Sequence, residues 1–78
     1  MTDQRQLRVG LVGCGAHGTN LALAVARSEL LQLVACADPD ESAAQRAART
    51  TAGVSIHKSI DSLSDVPSVD AVLVARFV

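Results

Sequence analysis

Aromatic residues are almost missing from this sequence: Phe77 is the only one, with no Trp or Tyr. Binding single-stranded nucleic acid by stacking its bases needs several such rings, so that device is excluded. Positive charge is not in excess either. Seven Lys+Arg stand against eight Asp+Glu, a formal net charge of −1, which leaves no electrostatic footprint for a phosphate backbone. No nucleic-acid partner is expected. The only two cysteines, Cys14 and Cys36, each lie in an apolar run. They read as buried free thiols acting as small hydrophobes, not as a disulfide or a metal pair, and a reducing, cytoplasmic setting fits that usage. No uninterrupted apolar stretch reaches the roughly 20 residues of a membrane span. The first residues, Thr2-Asp3-Gln4-Arg5-Gln6, are polar, so neither a membrane segment nor a signal peptide is expected.

What is present is a globular composition on a small scale: 78 residues, 49% hydrophobic, with five glycines. A chain of this size buries only about 60% of the surface its unfolded form exposes, so a single domain of modest stability is expected. Residues 1–6 read as a polar tail and 7–78 as one folded unit.

The run Leu7–Val12 is apolar, ends at Gly13 and reads as a largely buried strand. A helix is predicted from about Ala16 to Glu29, with Leu21, Ala24 and Val25 recurring at helical spacing. Leu30–Ala37 reads as a second strand. Asp38-Pro39-Asp40-Glu41 reads as a helix start, with Asp38 as cap, Pro39 at the first helical position and Glu41 completing a capping box. That helix is predicted from about Pro39 to Thr51, with Ala43, Ala44, Ala47 and Ala48 as its apolar face. Val54-Ser55-Ile56 is a third short strand. Ser59–Ser64 is one or two helical turns with Ile60 and Leu63 as a buried pair, and Pro67 breaks it. Val69–Ala75 is a fourth strand. Strands alternating with helices of this length predict an α/β fold with a parallel sheet and right-handed crossovers.

Gly13, Gly15 and Gly18 form a G-x-G-x-x-G pattern that directly follows a predicted strand and opens a predicted helix. Such glycines permit a tight turn, a close approach of backbone to a pyrophosphate, and close helix–strand packing. Backbone N–H groups at the helix start, around Ala16, can then meet the phosphates without a lysine. No Gly-Lys-Ser/Thr follows, which excludes a Walker A loop. His17 sits in the same loop as either a phosphate or water contact or a solvent-facing spacer. Asp38 stands at the end of the second strand, 25 residues after Gly13, against a usual spacing of about 20. A carboxylate there accepts adenosine ribose hydroxyls and repels a 2′-phosphate, which favours NAD over NADP. The alternative for Asp38 is a helix cap alone. His57 and Lys58 read as surface residues at a strand end, in a loop that can border the adenine. Asp61, Asp65 and Asp70 read as caps and solvated groups. No metal site is expected.

Three blocks, Val9–Gly15, Leu33–Pro39 and Val69–Ala75, together resemble the N-terminal part of the glucose-fructose oxidoreductase / inositol dehydrogenase / MocA family. The resemblance implies an NAD(P)-dependent oxidoreductase acting on sugars or cyclitols, built on a Rossmann-like dinucleotide domain followed by a larger substrate domain. It implies that Gly13, Gly15 and Gly18 hold the pyrophosphate, Asp38 the adenosine ribose, and that Ala75 lies on the nicotinamide side. Members usually continue the fourth strand with Ala-Thr-Pro, where this chain has Ala75-Arg76-Phe77. The family's Glu-Lys-Pro segment with its catalytic lysine is not found, and the only lysine is Lys58, so no catalytic residue is assigned.

The expectation is therefore an incomplete Rossmann-like sheet of about four strands in the order 3-2-1-4. Its later strands and substrate domain are absent, and the fragment alone is catalytically silent. The fourth strand would lie at an open edge with no charge or proline in Val72-Leu73-Val74, so self-association through it is expected. A non-enzymatic nucleotide-sensing regulatory module is the alternative function, since such modules use the same loop and acidic residue.

Overall fold

A computed structural model describes residues 6–64, 66 and 69–75. The expectations placed on the polar tail before Gln6, on Asp65 and Pro67, and on Arg76 and Phe77 lie outside the described residues. The chain alternates β1 (Leu7–Val12), α1 (Ala16–Arg27), β2 (Leu31–Ala37), α2 (Glu41–Ala48), β3 (Ser55–His57), α3 (Ile60–Ser64) and β4 (Ala71–Val74). The strands form one sheet in the order β3-β2-β1-β4, and every pairing is parallel. Both the element order and the strand order agree with the sequence-based expectation.

Helices pack on both faces of the sheet, which is what makes its strands read as nearly continuous apolar runs. On one face Val9, Leu11, Leu33 and Cys36 pack under α1 and α2, which contribute Ala22, Val25, Ala43, Ala44 and Ala47. On the other face Ala35 and Ala37 pack with Leu63 of α3, flanked by Val12, Val34 and Val69. The β1–β2 register shifts between Val9 and Gly10: Val9 pairs with Leu33, but Gly10 pairs with Ala35. Val34 is thus the extra residue of a bulge. Gly10 lies directly beneath Leu63; a Cβ built there would come within 2.9 Å of its Cδ2 atom.

Several sequence-based expectations are corrected. The buried stripe of α1 is Gly18, Ala22 and Val25, while Leu21 and Ala24 are exposed. The glycine sets this face, because the helix turns towards the strand the side on which it can approach most closely. Helix α2 starts at Glu41 with Asp40 as its N-cap, so neither Asp38 nor Pro39 takes the place expected for it. Asp40 wins because its Oδ1 reaches the amides of both Ser42 and Ala43, at 3.0 and 3.4 Å. The helix ends at Ala48, short of Thr51. Strand β3 is Ser55–His57, one residue later than expected, because Ala35, Cys36 and Ala37 pair with Ser55, Ile56 and His57. Strand β4 is shorter than its apolar run. In α3 only Leu63 is buried; Ile60 is 49% exposed, since one short helix covers that face. The alanine face of α2 and the two buried free thiols are as expected.

Candidate functional site

The carboxyl ends of parallel strands leave a crevice where adjacent crossovers diverge, and ligands bind open α/β sheets there. Three turns meet at that end here: Gly13–Gly15 after β1, Asp38–Asp40 after β2, and Lys58–Ser59 after β3. Ala75, just past β4, joins them by donating its N–H to the Val12 carbonyl at 2.8 Å. The structure thus gathers all seven candidate residues, Gly13, Gly15, Ala16, His17, Gly18, Asp38 and Ala75, on one end of the sheet.

The glycines differ in what fixes them. Gly13 has φ +88°, a conformation that L side chains rarely adopt, and a Cβ there would collide with the Ala75 carbonyl. Its N–H bonds to the Ala37 carbonyl at 3.0 Å, tying the turn to β2. Gly18 lies against the Gly13 carbonyl so closely that any side chain would strike it. Gly15 is the opposite case. Its φ of −70° is ordinary, and a Cβ there would meet nothing within 4 Å. Packing does not require glycine at that position, so the open space in front of it is what the glycine preserves.

The two helix starts are also treated differently. Helix α2 carries the Asp40 cap and Glu41 in its first turn. Helix α1 has no side-chain cap bond and no acid in its first turn. Its first internal bond runs from the Thr19 N–H to the Gly15 carbonyl at 2.8 Å, so the amides of Gly15 and Ala16 have no partner within the helix. An uncapped start carrying partial positive charge, with open space before it, is suited to an anion. His17 is exposed at this start.

Asp38 is held firmly. Its Oδ2 accepts the Cys14 N–H at 2.7 Å and its Oδ1 accepts the Asp40 N–H at 2.8 Å. Its own N–H donates to the His57 carbonyl at 3.1 Å. Next to it lies a cavity of about 440 Å³ lined by Val12, Gly13, Ala37, Asp38, Pro39, Lys58, Ser59 and Ile60. That volume is within the roughly 300–1,000 Å³ of small-molecule sites. Among the described residues Asp38 is the one anionic lining residue and Lys58 the one cationic. The sequence pointed to the Lys58 loop as a border; the parts of Ser59 and Ile60 depend on β2–β3 pairing and carry no local signal.

Beneath the loop the thiols of Cys14 and Cys36 are both buried and free, and the Cys14 thiol donates to the Ala37 carbonyl at 3.5 Å. Burial, then the Asp38 carboxylate, pushes the Cys14 thiol up from its ordinary value. Burial, then the adjacent Cys14, pushes Cys36 up to about 12. Both are inert protonated thiols at neutral pH. His57 pairs with the Ser55 hydroxyl at 2.8 Å. Asp70 lies at the other end of the sheet, accepting the Arg8 amide at 2.9 Å and its Nε at 3.3 Å. Among the described residues no cluster of three or more His, Cys, Asp or Glu could hold a metal, and no helix is long and apolar enough to cross a membrane.

This geometry, a glycine turn between a central strand and an uncapped helix with an acid at the end of the neighbouring strand, agrees with comparisons to known proteins. Residues 7–76 match the model of the Gfo/Idh/MocA oxidoreductase family, NAD-binding Rossmann fold. The chain belongs to that family. Inositol 2-dehydrogenase 4 of Saccharopolyspora erythraea is 39% identical over 74 residues, which is 94% of this chain and 22% of the relative. The structure resembles that of myo-inositol dehydrogenase from Lactobacillus casei, solved with NAD(H) and myo-inositol, with a TM-score of 0.86 and 29% identity over 94% of this chain and 22% of the other. It also resembles a 3-ketoreductase from Actinomadura kijaniata solved with TDP-benzene and NADP, with a TM-score of 0.80 and 27% identity over 92% of this chain and 23% of the other. The chain therefore spans about 22% of the length of the inositol dehydrogenases it matches. The comparisons lend no support to the regulatory-module alternative.

Proposed function

We propose that residues 7–78 form the N-terminal portion of the dinucleotide-binding domain of a dehydrogenase that uses NAD and acts on a cyclitol or sugar-like polyol. The observation that carries this reading is the empty space before Gly15 at the uncapped start of α1, next to a cavity bordered by Asp38. The residues fit such a cofactor. The amides of Gly15 and Ala16 would face the pyrophosphate, with His17 at its rim. Gly13 and Gly18 would fix the turn, Asp38 would accept the adenosine ribose hydroxyls, and Ala75 would border the nicotinamide side. The substrate class follows from the inositol dehydrogenases among the relatives.

A carboxylate at the end of β2 disfavours a 2′-phosphate, which supports NAD. Lys58 across the cavity is the group that would moderate this preference. When bound, the cofactor supplies a hydride acceptor or donor at the nicotinamide ring. The chain's own contribution is positioning: backbone donors for the phosphates, one carboxylate for the ribose, and apolar walls that exclude water. We assign no proton-transfer residue. Lys58 follows β3, at the opposite edge of the sheet from β4 and Ala75, so topology separates the only lysine from the proposed nicotinamide side.

Calorimetric titration of the chain with NAD and with NADP tests the reading. Binding of NAD, with weaker binding of NADP, is the expected result. A folded sample that binds neither overturns it.

A further inference from the structure

We infer that Asp38 is a positioning residue that locks the glycine loop before any nucleotide arrives, in addition to any contact it makes with a ribose. The inference deepens the dinucleotide reading and rests on it for its link to binding. Asp38 does not cap the helix that follows it, since Asp40 does. Its two oxygens instead hold one amide from each of two different turns, Cys14 at 2.7 Å and Asp40 at 2.8 Å. Hydrogen bonds to an ionised carboxylate are about twice as strong as neutral ones. The Cys14 amide is thereby committed to Asp38, and the turn is stapled on both sides, because the Gly13 N–H is held by the Ala37 carbonyl. The amides that follow, at Gly15 and Ala16, are then presented outwards by a backbone that cannot rotate freely.

An ionised carboxylate offers about four acceptor sites. Two are used by the amides, and two remain for the two hydroxyls of a ribose. The clamp and ribose recognition are therefore compatible, and the ribose and pyrophosphate subsites become coupled through one side chain. Asparagine cannot replace it, because its amide nitrogen would face one of the two N–H donors. Substitutions aimed only at changing the ribose preference, such as Asp38→Ser, should loosen the pyrophosphate seat as well.

The test has two arms on the 78-residue chain. In the first, amide hydrogen exchange and ¹⁵N spectra are recorded without nucleotide. The Cys14 amide should exchange at least about tenfold more slowly than the Gly15 amide, the step expected of one charged hydrogen bond. Both the Cys14 and Asp40 resonances should move in Asp38→Asn. Equal exchange at Cys14 and Gly15 in the wild-type chain overturns the clamp, and that comparison needs no variant to fold. In the second arm, NAD and an analogue lacking both adenosine ribose hydroxyls are titrated into wild type and Asp38→Ala. If Asp38 only read the ribose, the variant would bind the analogue as tightly as wild type does, and the inference would fail. The clamp predicts a loss of about tenfold for the analogue too. A wild-type chain with a protected Cys14 amide but no affinity for NAD would refute the dinucleotide reading while leaving the clamp in place.

Discussion

Replacing Gly15 by alanine should separate folding from binding. Helical glycines ordinarily gain about 1 kcal/mol on becoming alanine, but Gly15 is the N-cap of α1, with φ −70° and ψ −154°. Alanine adopts that backbone without strain. It caps less well than glycine, at a cost of about 0.5–1 kcal/mol, and reduces unfolded-state freedom, a gain of about 0.4–1 kcal/mol. A Cβ there meets nothing within 4 Å, so no steric cost is added and the two effects nearly cancel. The variant should unfold in urea within about 1 kcal/mol of wild type. Its methyl, however, enters the open space proposed to seat the pyrophosphate. Displacing one charge-assisted hydrogen bond costs about 1.5–3 kcal/mol, so affinity for NAD should fall at least about tenfold by calorimetry. Gly18→Ala gives the opposite pattern. It lies inside the same helix, yet its Cβ is driven into the Gly13 carbonyl. That carbonyl cannot retreat, because Gly13 is tied to Ala37 and backed by Ala75. A loss of about 1–3 kcal/mol or more should replace the usual gain. A folded Gly15→Ala chain that binds NAD like wild type would refute the placement of the pyrophosphate, and a stabilised Gly18→Ala chain would refute the packing argument.

Further perturbations check other parts of the reasoning. Asp40→Ala removes the cap bonds to Ser42 and Ala43 and should cost about 1 kcal/mol in urea melts, with NAD affinity little changed because the Asp40 backbone N–H still reaches Asp38. Leu63→Ala empties the centre of the smaller core, where Leu63 is fully buried, and should cost about 2–5 kcal/mol; a loss below 1 kcal/mol would show that α3 contributes little. Cys36 is raised from 9.0 to about 12, so between those values the unfolded chain has released the thiol proton and the folded chain has kept it. Stability should therefore fall as pH rises from 9, by roughly 1.4 kcal/mol per pH unit up to about 12, and Cys36→Ala should flatten that slope in melts at pH 8 and 10. Val72 and Val74 are 41% and 55% exposed on β4, which lies at one edge of the sheet; we expect two copies to associate there, and Val72→Lys with Val74→Lys to shift sizing profiles towards monomer, whereas a wild-type chain that stays monomeric at high concentration refutes this.

The strand order and the glycine turn were legible because each rests on a pattern with one steric meaning. Apolar runs of three to eight residues between helical segments leave few options besides a parallel sheet, and Gly13 and Gly18 stand where only glycine fits. The errors fall where two residues compete for one task. The sequence pattern named Asp38 as the cap, because it stands three residues before Glu41, whereas Asp40 takes that place. The choice is made by β1–β2 pairing, which brings the Cys14 amide to Asp38 and leaves the cap to Asp40. Leu21 reads as core by hydropathy, but the close approach of Gly18 rotates α1 so that Ala22 and Val25 face the sheet. Ile60 reads as buried, yet a single short helix on that face covers only what lies near Leu63.

Charge placement ties these details to the proposed function. Helices α1 and α2 start at the same end of the sheet, and their positive ends could both have been neutralised by carboxylates. Only α2 is, through Asp40 and Glu41. The third carboxylate, Asp38, is spent on a backbone amide of the loop before α1 rather than on α1 itself, so the α1 terminus stays uncompensated while its turn is held still. A stability-driven arrangement would cap α1 as well, since a cap contributes about 1 kcal/mol. Leaving that terminus bare in a domain of modest stability, with a glycine before it that packing does not require, is consistent with an anion supplied from outside the chain.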